Sequence, residues 1–369
     1  MLQLKDFANL RNAFDDGVQR GLHSGLQVYI SVDAQPLLSV GMGDSRSGVP
    51  LTETTIMPWR SAGKPVTAFL VMKRVEEGRL CLQTKIGDVL SEARMTDKAD
   101  ITIFDLLTHQ SGFPQTDTGW PHVDWDDSVA RSLQTACQLP VGSAAYHPQS
   151  SWFILGEILR RLESESNEVS FDFILRRDVF DLLGMVDVWC GIPSLVHDQL
   201  ASRLPVLYER VGGQLRPSNY GTSLWLTAPS PGGNLRGPVS RLGRFLEVLL
   251  RQGVLHDGRQ VMSSTVVQQM TSVHRAGQFD QTLQHTIDLG LGIMRDSGRY
   301  GISTVPYGYG RYCSETSFGH GGSQCSTGFV DPERKLVVAW AANTFCGEPQ
   351  HQRRNRLINE AIYQDLGFV

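Results

Sequence analysis

Residues 54–78 read TTIMPWRSAGKPVTAFLVMKRVEEG and predict an extended segment that runs into a helix. The extended part is 56–60, and the apolar spacing of residues 66–77 is typical of one helix. Ser61 and Lys64 stand where this helix begins, three positions apart, so both side chains lie on the same helix face. The sequence therefore brings a hydroxyl and an amine together at a helix start.

This pairing has chemical meaning because a serine hydroxyl is a poor nucleophile without an adjacent base. Lysine can act as that base when burial and positive surroundings lower its pKa. The positive end of the helix dipole would also favour an anionic intermediate nearby. Taken alone, Ser-x-x-Lys also fits a helix-capping serine followed by a solvent-exposed lysine. The remaining motifs lead us to predict that Ser61 is the nucleophile and Lys64 its base.

The composition is that of an ordinary globular protein. The chain has 369 residues, of which 41% are apolar and 20% charged, enough for one large core or for two subdomains that share one. A net charge of -4 and the absence of Lys/Arg blocks argue against a nucleic-acid partner. The six cysteines include no Cys-x-x-Cys pair, so we expect reduced structural thiols and neither a metal site nor a cofactor.

The first residues, MLQLKDF, lack a basic start followed by an apolar run, so they do not resemble a secretory signal. No stretch approaches the roughly 18 apolar residues of a membrane span. We therefore expect a cytoplasmic protein that has no membrane partner.

Periodicity along the chain predicts strands near both ends and helices between them. A hairpin is predicted at residues 25–32 and 36–40, with an exit turn at residues 41–44, and a buried strand at Leu336 to Ala342. The main predicted helices are residues 4–21, 103–108, 151–162, 171–183, 239–251 and 353–366.

This order of elements indicates an α+β fold. We predict an antiparallel sheet flanked by the N- and C-terminal helices, with an inserted helical subdomain. Residues 1–60 plus 222–369 would form the sheet subdomain, and residues 61–221 the mainly helical one. The active site would lie at their interface.

Four segments together resemble the serine β-lactamase and penicillin-binding-protein family, which includes family VIII-type esterases and D-aminopeptidases. Residues 54–78 resemble its nucleophile segment, and residues 103–114, IFDLLTHQSGFP, are similar to its Leu-Leu-Thr-His-x-Ser-Gly-Leu-Pro segment. Residues 232–250 resemble its Gly-Gly-Leu…Asp-Leu-x-Arg-Phe helix. Residues 319–322, GHGG, followed by Asp331-Pro332 and a strand, match its third motif. The segments occur in the family's order over nearly the whole chain, which implies the β-lactamase/transpeptidase-like fold.

The family's second motif, Tyr-x-Asn, corresponds to Tyr146-His147-Pro148. The resemblance implies that Tyr146 takes part in proton transfer beside the serine. Pro148 has no side-chain amide, so the hydrogen bonds of the asparagine to substrate and lysine are missing or come from elsewhere. His147 and Gln149 are the nearby candidates for this substrate-binding role.

The third motif, Lys-Thr-Gly in the family, is His320-Gly321-Gly322 here. The resemblance places these residues on the strand that lines the substrate site, where the glycines would let the substrate backbone lie against the strand edge. The backbone N–H groups of Ser323 and Ser61 would form the oxyanion hole. A histidine can be neutral at pH 7, whereas the family lysine is charged. This replacement favours the esterase and peptidase branches over β-lactam hydrolysis.

Four further aromatic and histidine residues are candidates for the site or for packing. His109, in the Thr-His-x-Ser-Gly segment, is expected to shape the wall near the lysine rather than to act in catalysis. Trp120, His122 and Trp125 either line an acyl or leaving-group pocket or pack a loop.

Three functions are compatible with this sequence. The leading hypothesis is a serine acyl hydrolase of carboxylesterase, amidase or D-peptidase type, acting on a small ester, amide or peptide. The second is an acyltransferase that passes the acyl group to an amine or alcohol. The third, a catalytically silent binding protein, is disfavoured by the retained serine, lysine, tyrosine and glycine-rich strand. The sequence makes no prediction of oligomeric state.

Overall fold

The computed structural model describes residues 2–164 and 169–369. Its strands are β1 (Gly25–Val32), β2 (Gln35–Arg46), β3 (Val49–Pro50), β4 (Met57–Pro58), β5 (Trp189–Cys190), β6 (Tyr208–Val211), β7 (Gln214–Pro217), β8 (Leu235–Gly237), β9 (Arg275–Asp280), β10 (His285–Leu289), β11 (Met294–Arg295), β12 (Phe318–Gly322), β13 (Ser326–Asp331), β14 (Leu336–Ala342) and β15 (Thr344–Phe345). Its α-helices are α1 (Ala8–Gln19), α2 (Lys64–Glu76), α3 (Ile86–Val89), α4 (Ile103–Leu107), α5 (Trp125–Gln134), α6 (Ser150–Glu163), α7 (Phe171–Leu175), α8 (Ser194–His197), α9 (Ser223–Thr227), α10 (Val239–Leu250), α11 (Ser264–Thr271) and α12 (Glu348–Asp365).

A nine-stranded antiparallel sheet forms the centre of the fold, in the order β3-β2-β1-β14-β13-β12-β11-β10-β9. Strand β14 has the sequence LVVAWAA, and every one of its residues is buried. It pairs with β1 on one side, where Val28 lies opposite Trp340, and with β13 on the other. This confirms the buried strand predicted at Leu336 to Ala342 and the α+β class.

Alternate side chains of β14 enter two different cores, as the period of a strand requires. Val337 and Ala339 belong to a cluster that includes Phe245 of α10. Val338 and Trp340 belong to a second cluster, with residues of α1 and α12. The sheet is therefore covered by α10 on one face and by the two terminal helices on the other.

The helices between β4 and β8 share the larger core with the sheet. One continuous cluster contains Phe69 of α2, Trp152 of α6, Phe245 of α10 and Val330 of β13. The division at residues 60/61 and 221/222 therefore crosses a single core, and it stays a prediction. Within the described parts of the chain, no helix is long and apolar enough to cross a membrane.

The exit turn predicted at residues 41–44 is wrong, because β2 continues through it to Arg46. Its two glycines are required by close backbone packing instead. A Cβ on Gly41 would lie 2.2 Å from the Leu51 carbonyl oxygen, and one on Gly43 would lie 2.2 Å from that of Ser24.

Two further elements differ from the predictions. Strands β6 and β7 form a hairpin inside the segment expected to be mainly helical, and β6 pairs in parallel with β15 near the C-terminus. The closing helix, predicted from residue 353, begins at Glu348. Pro349 occupies the first turn of this helix, where proline is tolerated because its missing N–H has no partner to lose.

Candidate active site

A small three-stranded sheet holds Ser61 in place. Strand β4 pairs with β8, and the Trp59 indole N–H donates to the Gly237 carbonyl oxygen at 2.9 Å. Ser61 then lies in a short 3₁₀ turn, Arg60–Gly63, which leads directly into α2. A Cβ on Gly63 would lie 2.8 Å from the Leu235 Cβ, so a residue without a side chain lets the turn pack against β8.

Arg60 precedes Ser61 and has a φ of 51°, in the left-handed region that non-glycine residues rarely adopt. Backbone strain of this kind is held by the surrounding contacts and is concentrated at functional sites. The Trp59 carbonyl on the other side of Arg60 accepts a buried hydrogen bond of 2.6 Å from the Ser326 hydroxyl of β13. The serine turn is thus fixed to the central sheet.

Lys64 is fully buried, and its Nζ lies 3.1 Å from the Ser61 Oγ. The same Nζ donates to the Pro148 carbonyl oxygen at 2.8 Å and to the Gly232 carbonyl oxygen at 2.5 Å. A neutral amine has two N–H donors and one lone pair. With both donors on carbonyls, the lone pair is left to accept the Ser61 hydroxyl proton.

The electrostatic surroundings favour that neutral form. Burial lowers the pKa of Lys64 well below its ordinary value, and the charge of Arg60 lowers it further. The structure therefore confers on Lys64 the two properties of a base for Ser61, namely contact with the hydroxyl and a depressed pKa.

Two features of the structure lie close to the position of the amide that is absent at Pro148. The backbone carbonyls of Pro148 and Gly232 supply the acceptors for Lys64. Gln149 supplies a side-chain amide on the cavity wall, and its Oε1 accepts from the Ser230 hydroxyl at 2.5 Å. A Cβ on Gly233 would lie 2.3 Å from the Gln149 Nε2, so the glycine makes room for this amide.

His147 does not line the cavity. Its ring is completely buried, with Nδ1 2.6 Å from the Ala145 carbonyl oxygen, while Nε2 accepts the Phe113 N–H at 3.0 Å and lies 3.1 Å from the Ser111 Oγ. Burial lowers its pKa to about 3, so the ring is neutral. The expectation that His147 contacts substrate is therefore not supported, because both ring nitrogens are occupied by the protein.

Tyr146 is 8% exposed and lines the cavity beside Ser61. Burial raises the pKa of this phenol, so it stays protonated near neutral pH and can donate a proton. The Lys64 Nζ lies 5.3 Å from the centre of the tyrosine ring. Ser61, Lys64 and Tyr146 thus come together as the sequence predicted.

The His109 ring packs against the Tyr146 ring. The two rings lie 4.5 Å apart between centroids, and the His109 Nδ1 accepts the His147 backbone N–H at 2.9 Å. Burial, followed by the charge of neighbouring groups, lowers the pKa of His109 well below its ordinary value. This placement agrees with a role in shaping the wall.

A buried ion pair that sequence reasoning missed also holds this wall. Arg275 and Asp280 lie 2.7 Å apart with both side chains fully buried. Asp280 accepts the Tyr146 N–H at 3.0 Å, and Arg275 donates to the carbonyl oxygens of Thr108 and His109 at 3.2 Å. In the sequence, Arg275 and Asp280 are only two opposite charges five residues apart. Nothing in that spacing distinguishes a buried ion pair from an exposed one.

The glycines of the third motif serve the protein's own packing. A Cβ on Gly321 would lie 2.3 Å from the Tyr307 ring, and one on Gly322 would lie 2.2 Å from the Trp59 carbonyl oxygen. The edge predicted to receive substrate backbone is thus partly covered by Tyr307. Gly321 still lines the cavity, whereas Gly322 is not among the lining residues.

His320 lines the cavity, and its Nδ1 lies 2.7 Å from the Gly321 carbonyl oxygen. Burial lowers its pKa to about 3. The imidazole is therefore neutral at pH 7, and it gives a substrate carboxylate no permanent positive partner.

Ser61 and Ser323 both line the cavity. In residues 2–164 and 169–369, neither of their backbone N–H groups donates to a backbone carbonyl. An oxyanion hole requires two such free N–H groups beside the nucleophile. The oxyanion hole formed by Ser61 and Ser323 therefore stays a prediction.

The cavity has a volume of about 230 Å³. It is lined by Arg60, Ser61, Tyr146, Pro148, Gln149, Gly233, Thr282, Leu283, Met294, Tyr307, His320, Gly321, Ser323 and Glu348. Arg60, Tyr307 and Glu348 were missed by sequence reasoning. No motif marks them, and the late start predicted for the last helix left Glu348 in a loop.

The aromatic residues after Pro114 do not line this cavity. Trp125 packs between Phe153 and Phe171, with its N–H on Glu157 at 2.7 Å, so it belongs to the helical core. His122 lines a separate cavity of about 330 Å³. Trp120 packs edge-on against Trp225, which lines that second cavity too.

No set of three or more His, Cys, Asp or Glu side chains in the described parts of the chain is arranged to hold a metal ion.

A sheet covered by the terminal helices, with a Ser-x-x-Lys helix start packed against it, is the architecture of the β-lactamase-fold serine hydrolases. The family model described as Beta-lactamase matches residues 10–363, so the chain belongs to the Beta-lactamase family. The protein is accordingly a serine hydrolase with the β-lactamase/transpeptidase-like fold.

Relatives within this family carry different names. Penicillin-binding protein 4 of Amycolatopsis lactamdurans is 28% identical over 254 residues, which cover 65% of this chain and 62% of that protein's length. Esterase/beta-lactamase LipL of Mycobacterium tuberculosis is 22% identical over 93% of this chain and 80% of its own. The crystal structure of a penicillin-binding protein homologue from Caulobacter crescentus superimposes with a TM-score of 0.77 and 26% identity, covering 98% of this chain and 99% of that one.

The position of Tyr146 leads to a mutational prediction. Tyr146→Phe keeps the ring that packs on His109 and removes only the hydroxyl, so the fold should persist while kcat falls by about 10²-fold or more, as expected for lost acid–base help. The measurement is steady-state ester hydrolysis, with the melting temperature as a control. Wild-type turnover by this variant would show that the phenol transfers no proton.

Proposed function

We propose that the protein is a serine acyl hydrolase of the carboxylesterase, amidase or D-peptidase type that works through a Ser61 acyl-enzyme. The observation that carries this proposal is the Lys64 amine, which is buried, contacts the Ser61 Oγ at 3.1 Å and has both other hydrogen bonds on carbonyls.

Acylation begins when the Ser61 oxygen attacks the substrate carbonyl carbon while its proton passes to the neutral Lys64 amine. The oxygen of the tetrahedral intermediate takes the negative charge and accepts from the N–H groups of Ser61 and Ser323. When the carbon–leaving-group bond breaks, the leaving group takes a proton from the Tyr146 phenol, which Lys64 reprotonates. Lys64 is then neutral again, and the acyl group is on Ser61.

Deacylation uses the same groups in the reverse sense. A water molecule loses a proton to the neutral Lys64 amine as it attacks the acyl carbon, and the Ser61 oxygen leaves with a proton that Lys64 returns through the Tyr146 phenol. The net reaction is addition of water across the ester or amide bond.

The charges in the cavity favour neutral or cationic substrates over anionic ones. His320 is neutral, and the Glu348 carboxylate faces the same space. Arg60 is a cation at the wall, but its guanidinium lies over the Tyr220 ring at 4.7 Å. A penicillin carboxylate therefore meets a neutral histidine and a carboxylate, and the one cation among the lining residues is stacked on an aromatic ring, so we expect it to be held weakly.

The test is kcat/KM for nitrocefin compared with p-nitrophenyl acetate and butyrate under the same conditions. We expect the esters to be hydrolysed with catalytic turnover and nitrocefin to acylate slowly without efficient turnover. A kcat/KM for nitrocefin of about 10⁶ M⁻¹s⁻¹, which is inside the range of competent enzymes, would contradict the argument from charge.

The same reactions should be repeated with an added amine or alcohol, and the products identified by mass. Free acid as the main product supports the hydrolase. Predominant transfer to the acceptor would replace it with the acyltransferase.

A further inference from the structure

A carboxylate inside the catalytic cavity has no role in the mechanism above. Glu348 is the first residue of α12 and lines the cavity that contains Ser61. The Tyr307 hydroxyl lies 2.7 Å from each of its two oxygens. The Ser323 hydroxyl donates to the Oε1 at 3.4 Å. The carboxylate is therefore held in a fixed position by two side chains that also line the cavity.

Glu348 has no cationic partner. No ion pair within residues 2–164 and 169–369 includes it, and Arg60, the cation of the cavity wall, is stacked on Tyr220 instead. Burial raises the pKa of Glu348, while the two hydroxyl hydrogen bonds act in the opposite direction. A half-buried carboxylate without a counter-ion is costly, and a cation entering the cavity would offset that cost.

The place of this carboxylate limits where such a cation can sit on the substrate. The Ser323 hydroxyl contacts Glu348, while the Ser323 backbone N–H belongs to the proposed oxyanion hole. Glu348 thus contacts the side chain of the same residue whose backbone N–H would bind the carbonyl oxygen of the substrate. An ammonium group attached to the carbon next to that carbonyl is the substrate cation that this arrangement suits.

We propose that Glu348 determines specificity by binding the ammonium group of an α-amino acyl substrate, an amino acid amide or ester. This inference rests on the proposed function, since it assigns a substrate class to the same cavity. Glu348 takes no part in proton transfer at Ser61, and its effect is on substrate binding.

The experiment measures binding rather than turnover, so that it does not depend on the nucleophile. Ser61→Ala and Ser61→Ala/Glu348→Gln are titrated at pH 7 with alaninamide, as each enantiomer, and with propanamide, which lacks the amine. Kd values come from ligand-observed NMR. An α-amino group has a pKa of about 8, so alaninamide is mostly cationic at this pH.

We expect at least one alaninamide enantiomer to bind tenfold or more tightly than propanamide when Glu348 is present. Glu348→Gln should remove that preference and leave propanamide binding unchanged. Glu360→Gln is the matched control, because Glu360 is on the same helix and pairs with Arg311 at 3.1 Å. Tyr307→Phe removes a hydroxyl that holds the carboxylate but leaves the carboxylate itself, so it should weaken the preference without abolishing it.

Equal binding of the two amides, a preference that survives Glu348→Gln, or no binding of either amide would each overturn the proposal. Should the Glu348→Gln variant fail to fold, a tenfold or larger preference for alaninamide in Ser61→Ala that falls when Tyr307→Phe is added would support the proposal. A smaller preference, or one that Tyr307→Phe leaves unchanged, would contradict it. The catalytic proposal is judged separately by wild-type hydrolysis of p-nitrophenyl butyrate, which carries no amine.

Discussion

Ser61→Ala is expected to abolish covalent labelling by a fluorophosphonate and to reduce ester hydrolysis to background. The reason is that Ser61 is the hydroxyl in contact with the buried Lys64 amine, in a cavity that Tyr146 also lines. The change removes one oxygen from a half-exposed side chain, so the fold should be retained. Intact-protein mass after exposure to the probe gives a direct readout.

The matched control is Ser194→Ala. Ser194 is an exposed serine that also begins a helix, α8, but the residue three positions later is His197 and not a lysine. It should label like the wild type. A Ser61→Ala protein that still gains the mass of the probe at another serine would show that the nucleophile has been misassigned.

Lys64→Ala is expected to slow the chemical step by about 10²–10⁴-fold, the range for loss of a general base. The vacated space admits water, which can satisfy the carbonyls of Pro148 and Gly232. Lys73→Ala, on the solvent side of the same helix, is the control and should retain activity. Single-turnover acylation kinetics separate this step from deacylation.

The depressed pKa of Lys64 also predicts the pH dependence. The amine accepts a proton only when it is neutral, so kcat/KM should fall as the pH drops through that lowered pKa and stay high above it. In Lys64→Ala this acidic limb should disappear. An acidic limb that is identical in the variant would assign the titration to another group.

The sequence was a good guide wherever one short segment carries both the fold and the chemistry. Ser61 and Lys64 are three residues apart on one turn, so helix periodicity alone places them together. Strand β14 is a continuous apolar run, and its burial on both faces follows directly from its composition. Tyr146 and the strand that carries His320 depended on the resemblance to a family.

Contacts between distant segments could not be predicted in the same way. The carbonyls that orient Lys64 belong to Pro148 and Gly232. Every residue has a backbone carbonyl, so the sequence cannot indicate which ones contact the lysine. The sequence makes His147 a plausible substrate ligand, but both nitrogens of its ring are occupied by hydrogen bonds with the backbone of Ala145 and Phe113. Glu348 was hidden because its helix begins before the apolar periodicity does.

The pairing of β1 with β14 also affects how the chain folds. Leu26 lies opposite Ala342, so the middle of the sheet closes only after almost the whole chain is available. During synthesis the β1–β2 hairpin can form early, but one edge of β1 then remains unpaired, and such edges promote aggregation. Closing a loop of this length also slows folding far more than it lowers stability. Strand β1, in the middle of the sheet, is thus the element whose partner strand is synthesised last, so the nascent chain is more exposed to aggregation than the folded enzyme.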